Sequence, residues 1–67
     1  MTRLSLNGEV VALAEPATVE GVVDGLRRGR SGLAVAVNGE VVPRSLWPTT
    51  ALMEGDQVEV LTAVQGG

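Results

Sequence analysis

Two Asn-Gly pairs, Asn7-Gly8 and Asn38-Gly39, constrain this chain more than any other feature. Asn-Gly is the pair that most readily takes positive φ at two successive residues, which a two-residue hairpin turn requires. Each pair lies between short stretches with strand character. Before the first, Arg3-Leu4-Ser5-Leu6 alternates polar and apolar, the period of a half-buried strand. After it, Glu9 to Leu13 supplies a return strand with Val11 and Leu13 on one face. Before the second pair, Leu33 to Val37 is apolar and β-branched enough for a central strand. After it, Glu40-Val41-Val42 is a short return that Pro43 stops, as suits a sheet edge. The chain therefore reads as two hairpins.

What joins them reads as one helix. Glu15-Pro16-Ala17 breaks the second strand, and Thr18 is an N-cap residue. Val19, Val22, Val23 and Leu26 then fall on a single helical stripe. Glu20 early, and Arg27 and Arg28 late, suit the helix dipole, and solvation and the dipole account for the basic run Arg27, Arg28, Arg30. Gly21 and Gly25 each cost up to about 1 kcal/mol against Ala, so this helix needs a sheet to pack on. Gly29 to Gly32 is its stop and loop. Ser45 to Thr50 reads as irregular, with one 3₁₀ turn pinned by Leu46 or Trp47, and Trp47 caps one edge of the core. Glu54-Gly55-Asp56 is a turn and Gln57 to Ala63 the last strand.

The order ββαβ, an irregular piece, then β predicts an α+β fold. One helix packs on a mixed sheet, with the last strand between strands one and three, the ubiquitin-like β-grasp arrangement. The expected core is Leu4, Leu6, Val11, Leu13, Val22, Val23, Leu26, Val35, Val37, Leu52, Val58 and Val60. Residues 1–67 form one domain, with residues 64–67 expected as a flexible tail. A chain this short buries only about 60% of its unfolded surface, so its margin of stability is modest.

Composition excludes much chemistry. With no Cys and no His there is no thiolate nucleophile, no imidazole base and no thiolate metal site. With no Lys there is no Schiff base, and no side-chain amine through which the chain could polymerise on itself. An enzyme acting alone is not expected, nor a bound cofactor or metal. A net charge of -3 and a single aromatic residue argue against nucleic acid. No apolar run approaches the roughly 20 residues that span a bilayer, and no signal peptide is evident. The expectation is a soluble cytoplasmic protein.

One group remains for covalent work, the carboxylate of Gly67. Gly66-Gly67 lacks Cβ atoms, and with Gln65 it forms a thread thin enough to enter a narrow active site. A carboxylate is a poor acyl donor, because resonance stabilises the anion. A mixed anhydride with AMP supplies a good leaving group and splits one hard step into easier ones.

Further residues carry a resemblance. Val37-Asn38-Gly39-Glu40-Val41-Val42-Pro43-Arg44 with Trp47, then Glu54-Gly55-Asp56-Gln57-Val58-Glu59 and Leu61-Thr62-Ala63-Val64-Gln65-Gly66-Gly67, resemble the ThiS family of thiamine-biosynthesis sulfur carriers. The match is specific from Leu33 onward and weak before it, and the helix departs in its two glycines. The resemblance implies that Gly67 is adenylated by a ThiF-like adenylyltransferase that uses ATP, with Gly66 giving clearance. Sulfur originating from a cysteine desulfurase persulfide then replaces AMP as a thiocarboxylate. A ThiG-like thiazole synthase takes that sulfur to build the thiazole of thiamine.

The outward face of the last strand suggests how such partners dock. Leu61 would point outward beside Ala34 and Ala36, an apolar platform that continues through Val64 toward the tail. Glu54, Asp56 and Glu59 are either an ordinary solvated face or a steering patch. Other functions stay open: a carrier for molybdopterin or a cysteine-type pathway, a ubiquitin-like modifier joined to lysines of targets, or a TGS-like binding module. The molybdopterin-synthase small subunit is usually longer, with aromatic residues near its start, and TGS modules sit inside long chains.

Overall fold

The computed structural model describes residues 1–26 and 32–62. Two hairpins and one helix form where the turn residues and the apolar stripe place them. The strands are β1 (Thr2–Leu6), β2 (Glu9–Leu13), β3 (Leu33–Val37), β4 (Glu40–Val42) and β5 (Gln57–Thr62). Helix α1 (Val19–Leu26) joins β2 to β3, and a 3₁₀ helix spans Arg44–Thr49. The sheet order is β2-β1-β5-β3-β4. β5 pairs parallel with β1 and antiparallel with β3. This is the expected β-grasp arrangement, with the last strand in the middle.

Both hairpin turns are built as their residues dictate. Asn7 and Gly8 have φ of 51° and 87°, and Asn38 and Gly39 have 52° and 86°, positive at both central positions. Thr18 caps α1: its Oγ1 accepts a hydrogen bond from the Gly21 amide at 3.1 Å, satisfying one of the orphan donors of the first turn. The helix start is also tied to the segment ahead of β5. The Val19 amide donates to the Thr50 carbonyl at 3.1 Å, and the Leu52 amide to the Ala17 carbonyl at 2.8 Å.

The core lies between α1, the 3₁₀ helix and one face of the sheet. Leu4, Val22, Val23, Val35, Leu52, Val58 and Val60 are buried as expected. Leu6, Val11, Leu13, Leu26 and Val37 are only half-buried around it. A groove lined by Leu6, Val11, Leu13, Val22 and Leu26 lies between the described helix and the sheet and leaves Leu6, Val11, Leu13 and Leu26 partly open. Ala17, Val19 and Trp47 are fully buried members that the expected core omits. Trp47 is not an edge cap. Its indole is 1% exposed, and Nε1 donates to the Val42 carbonyl at 2.9 Å. The 3₁₀ helix turns that one ring inward, while Leu46 stays exposed at 49%. Trp47 is therefore the residue that pins this segment.

Arg27, Arg28, Arg30 and residues 29 and 31 of the expected loop, as well as Ala63, lie outside the described residues. Within α1, Gly25 is exposed, and a Cβ built on it meets nothing within 4 Å. Gly25→Ala should therefore stabilise the domain by about 0.5–1 kcal/mol, raising Tm by roughly 2–8 °C. Thermal melting by far-ultraviolet circular dichroism checks this, and an unchanged or lower Tm would contradict it. Among the described residues no helix is long and apolar enough to cross a membrane.

Candidate functional site

β5 is the element that leads to the Gly-Gly thread, so its surroundings set what the thread can do. Along it, Val58 and Val60 are buried against α1's side of the sheet, whereas Gln57, Glu59 and Leu61 are exposed. Alternation puts these three on the opposite face. Leu61 is 63% exposed and sits directly opposite Ala34 in the β3 register. Ala36 is opposite Glu59 on one side and Val41 on the other.

Three of the four residues expected to form the platform are thus brought together. Leu61 and Ala34 are exposed cross-strand partners, and Ala36 is half-buried in the next row. Val64, Gln65, Gly66 and Gly67 lie outside the described residues. Val41, 75% exposed, extends the same face onto β4. It is absent from the expected platform, although the phase of Glu40-Val41-Val42 against Pro43 carries the signal. Glu59 interrupts the row, so the face is apolar with one carboxylate set in it.

The neighbouring acids serve the fold. Glu54 Oε1 accepts from the Arg3 amide at 3.0 Å. Asp56 Oδ2 accepts from the Met53 amide at 2.8 Å and its Oδ1 from Asn38 Nδ2 at 3.1 Å. These bonds close the turn before β5, which leaves Glu59 as the member of the cluster on the open sheet face.

Two further side chains act on β5, and from sequence both are turn residues alone. Asn38 Oδ1 accepts from the Gln57 amide at 2.9 Å. Asn7 Oδ1 accepts from the Val60 amide at 2.9 Å, and its Nδ2 donates to the Val60 carbonyl at 3.3 Å. The side chain most able to signal this is Asn itself, whose amide carries a donor and an acceptor together.

A groove of about 560 Å³ lies elsewhere. It runs along Thr2, Glu15, Ala17, Leu52 and Met53, at the start of β1. That end of the parallel β1–β5 pair is the one remote from Thr62. The groove lining includes Glu15 and Glu54 and none of Leu61, Ala34, Ala36 and Val41.

Comparison with known proteins gives the family. The model of the ThiS family matches residues 4–67. The sulfur carrier protein ThiS of Escherichia coli K12 is 28% identical over 65 residues, 97% of this chain and 98% of that protein. The uncharacterized protein ycf40 of Porphyra purpurea is 28% identical over 64 residues, 96% of this chain and 90% of that one. The crystal structure of the thiamine biosynthesis protein ThiS from Geobacter metallireducens superposes with a TM-score of 0.81 at 30% identity, covering 98% of this chain and all of that one.

Proposed function

Because the chain belongs to the ThiS family, we propose that this sulfur carrier of thiamine biosynthesis works through the carboxylate of Gly67. The observation that carries the proposal is the central strand β5. It runs between β1 and β3 and is followed in the sequence directly by residues 63–67, and its outward face carries exposed Leu61 opposite Ala34, with Val41 exposed on β4. An adenylyltransferase grips that face and receives the thread. The Gly67 carboxylate attacks the α-phosphorus of ATP, pyrophosphate leaves, and an acyl-adenylate forms. The terminal sulfur of a persulfide, supplied by a cysteine desulfurase, then displaces AMP to give an acyl disulfide. A thiol attacks the other sulfur, leaving the thiocarboxylate on Gly67 and a new disulfide, and thiazole synthase collects the sulfur from the thiocarboxylate. ATP belongs to the activating enzyme, and the carrier is a protein co-substrate acting in the cytoplasm. The absence of Cys has a rationale here, since the sulfur travels on the backbone terminus.

Intact mass before and after iodoacetamide tests this reading on the full chain incubated with ATP, the activating enzyme and a sulfur source. A thiocarboxylate exchanges oxygen for sulfur and alkylates rapidly at Gly67. Oxidation of Met1 or Met53 gives a similar increment but is not rapidly alkylated. No alkylatable species would defeat the proposal.

Leu61→Asp tests the docking face. Leu61 is exposed, so the fold should tolerate the change within about 0.5 kcal/mol. A carboxylate placed beside Ala34 and Glu59 should raise KM for adenylation about tenfold or more, the cost of desolvating an unpaired charge in an interface. An unchanged KM would remove Leu61 from the interface.

A further inference from the structure

Resting on the reading of Gly67 as the reacting group, we propose that Asn7 is a positioning residue for that reaction: its carboxamide takes the place of a missing β1 residue and holds the β1-side edge of β5 near its end, which sets the direction in which the strand points. The parallel pairing of β1 with β5 ends early, at Ser5 opposite Gln57 and Leu6 opposite Val58. The Asn7 amide still donates to the Val58 carbonyl at 2.9 Å. There the backbone swings away into the turn at φ 51°, while β5 continues for four more residues to Thr62. The edge of β5 that faced β1 would run on without a neighbour. The Asn7 side chain occupies that place, accepting from the Val60 amide and donating to the Val60 carbonyl. A backbone residue of an adjacent strand offers the same donor and acceptor, and among side chains a carboxamide offers both.

Asn38 makes the mirror arrangement at the other end. Its amide donates to the Gln57 carbonyl at 2.7 Å while its Oδ1 accepts from the Gln57 amide. Backbone groups of successive residues in a strand point to opposite edges, so Gln57 faces β3 and Val60 faces β1. The two asparagines therefore hold opposite edges of β5 at opposite ends. Only Asn7 stands at the end from which the thread departs.

The consequence for the reaction is a direction. From Thr62, residues 63–67 can span at most about 17 Å. Without the Asn7 clamp the end of β5 is held by β3 alone, through Leu33 opposite Thr62, and the strand can twist about that edge. The concentration of the carboxylate at the partner's active site then falls, because a thread of the same length is spread over more directions. Docking is changed less than delivery.

Asn7→Gly is the deciding variant, because glycine keeps the positive φ of the turn and removes both side-chain bonds. Asn7→Asp keeps an acceptor for the Val60 amide but sets a carboxylate oxygen against the Val60 carbonyl. Two readouts are taken on the full chain: amide hydrogen exchange by NMR, and adenylation kinetics followed by pyrophosphate release with ATP and the activating enzyme. In Asn7→Gly the Val60 amide should exchange about tenfold faster relative to the Glu59 and Leu61 amides, which face β3. The kcat for adenylation should fall about three- to tenfold with KM within about twofold, and Asn7→Asp should lie between. Equal acceleration of all three amides, or none, would overturn the clamp. Localised acceleration with unchanged kcat would overturn the positioning role. If the unaltered chain itself is not adenylated, the reading of Gly67 fails and the positioning role with it, while the exchange data still decide the clamp.

Discussion

Deletion of Gly67 should abolish thiocarboxylate formation while leaving the melting temperature of the domain unchanged. The described core ends at Val60, two residues before the end of β5. Removing one glycine draws the terminal carboxylate back by about 3.5 Å. A displacement of about 1 Å from the attack geometry already costs about 100-fold in rate. The expected loss is therefore at least about 100-fold in adenylation, measured as pyrophosphate release, with no alkylatable species by intact mass. The partner should still bind the shortened chain through Leu61 and Ala34, so the variant should compete with the parent chain for the activating enzyme. Adenylation at the parental rate would show that the reacting carboxylate is not the one carried by Gly67.

Leu61→Asp and the Gly67 deletion separate two roles that one strand combines. The first weakens docking and leaves the reacting group intact. The second leaves docking intact and removes the group from its place. A carrier must meet more than one enzyme, so its affinity cannot reside in the thread alone. A flat face with few charges and a thin projecting terminus lets different partners share a grip while each receives the same atoms.

How much of this is legible in the sequence depends on the range of the interactions. Asn7-Gly8 and Asn38-Gly39 announce their turns because positive φ is a local property. The stripe Val19, Val22, Val23 and Leu26 announces the helix because its period is local too. The order of the strands comes from those elements and the short connections between them. Three features need the assembled sheet. The half-burial of Leu6, Val11 and Val37 depends on how the helix sits across five strands. The exposure of Val41 beside Ala36 depends on register. The grip of Asn7 on Val60 depends on the stagger between β1 and β5, two strands far apart in the chain. Gly66 and Gly67 are legible for another reason: their chemistry is that of a motif, and needs no packing to be read.

Trp47 is the sharpest case, and Trp47→Ala should be the most damaging single substitution in the domain. The ring is 1% exposed and is the largest of the fully buried side chains. Truncating a buried Trp costs about 3–5 kcal/mol through lost burial and the cavity left behind. A domain of this size holds about 3–10 kcal/mol in total, so the loss is comparable with the whole. The expected fall in Tm is roughly 12–40 °C, followed by far-ultraviolet circular dichroism, with a substantial unfolded fraction at 25 °C if the parent lies at the low end. Trp47→Phe separates the ring from its N–H. Phenylalanine restores most of the buried surface but leaves the Val42 carbonyl without the donor now 2.9 Å away, at a cost of about 1–3 kcal/mol. Its melting point should fall between the other two. Below its own melting transition, each folded Trp47→Phe molecule should accept sulfur at close to the parental rate, because Trp47 packs in the core while Leu61, Ala34 and Val41 are exposed. A Trp47→Ala chain melting within about 4 °C of the parent, a shift worth about 1 kcal/mol at most, would show that the indole does not hold this core.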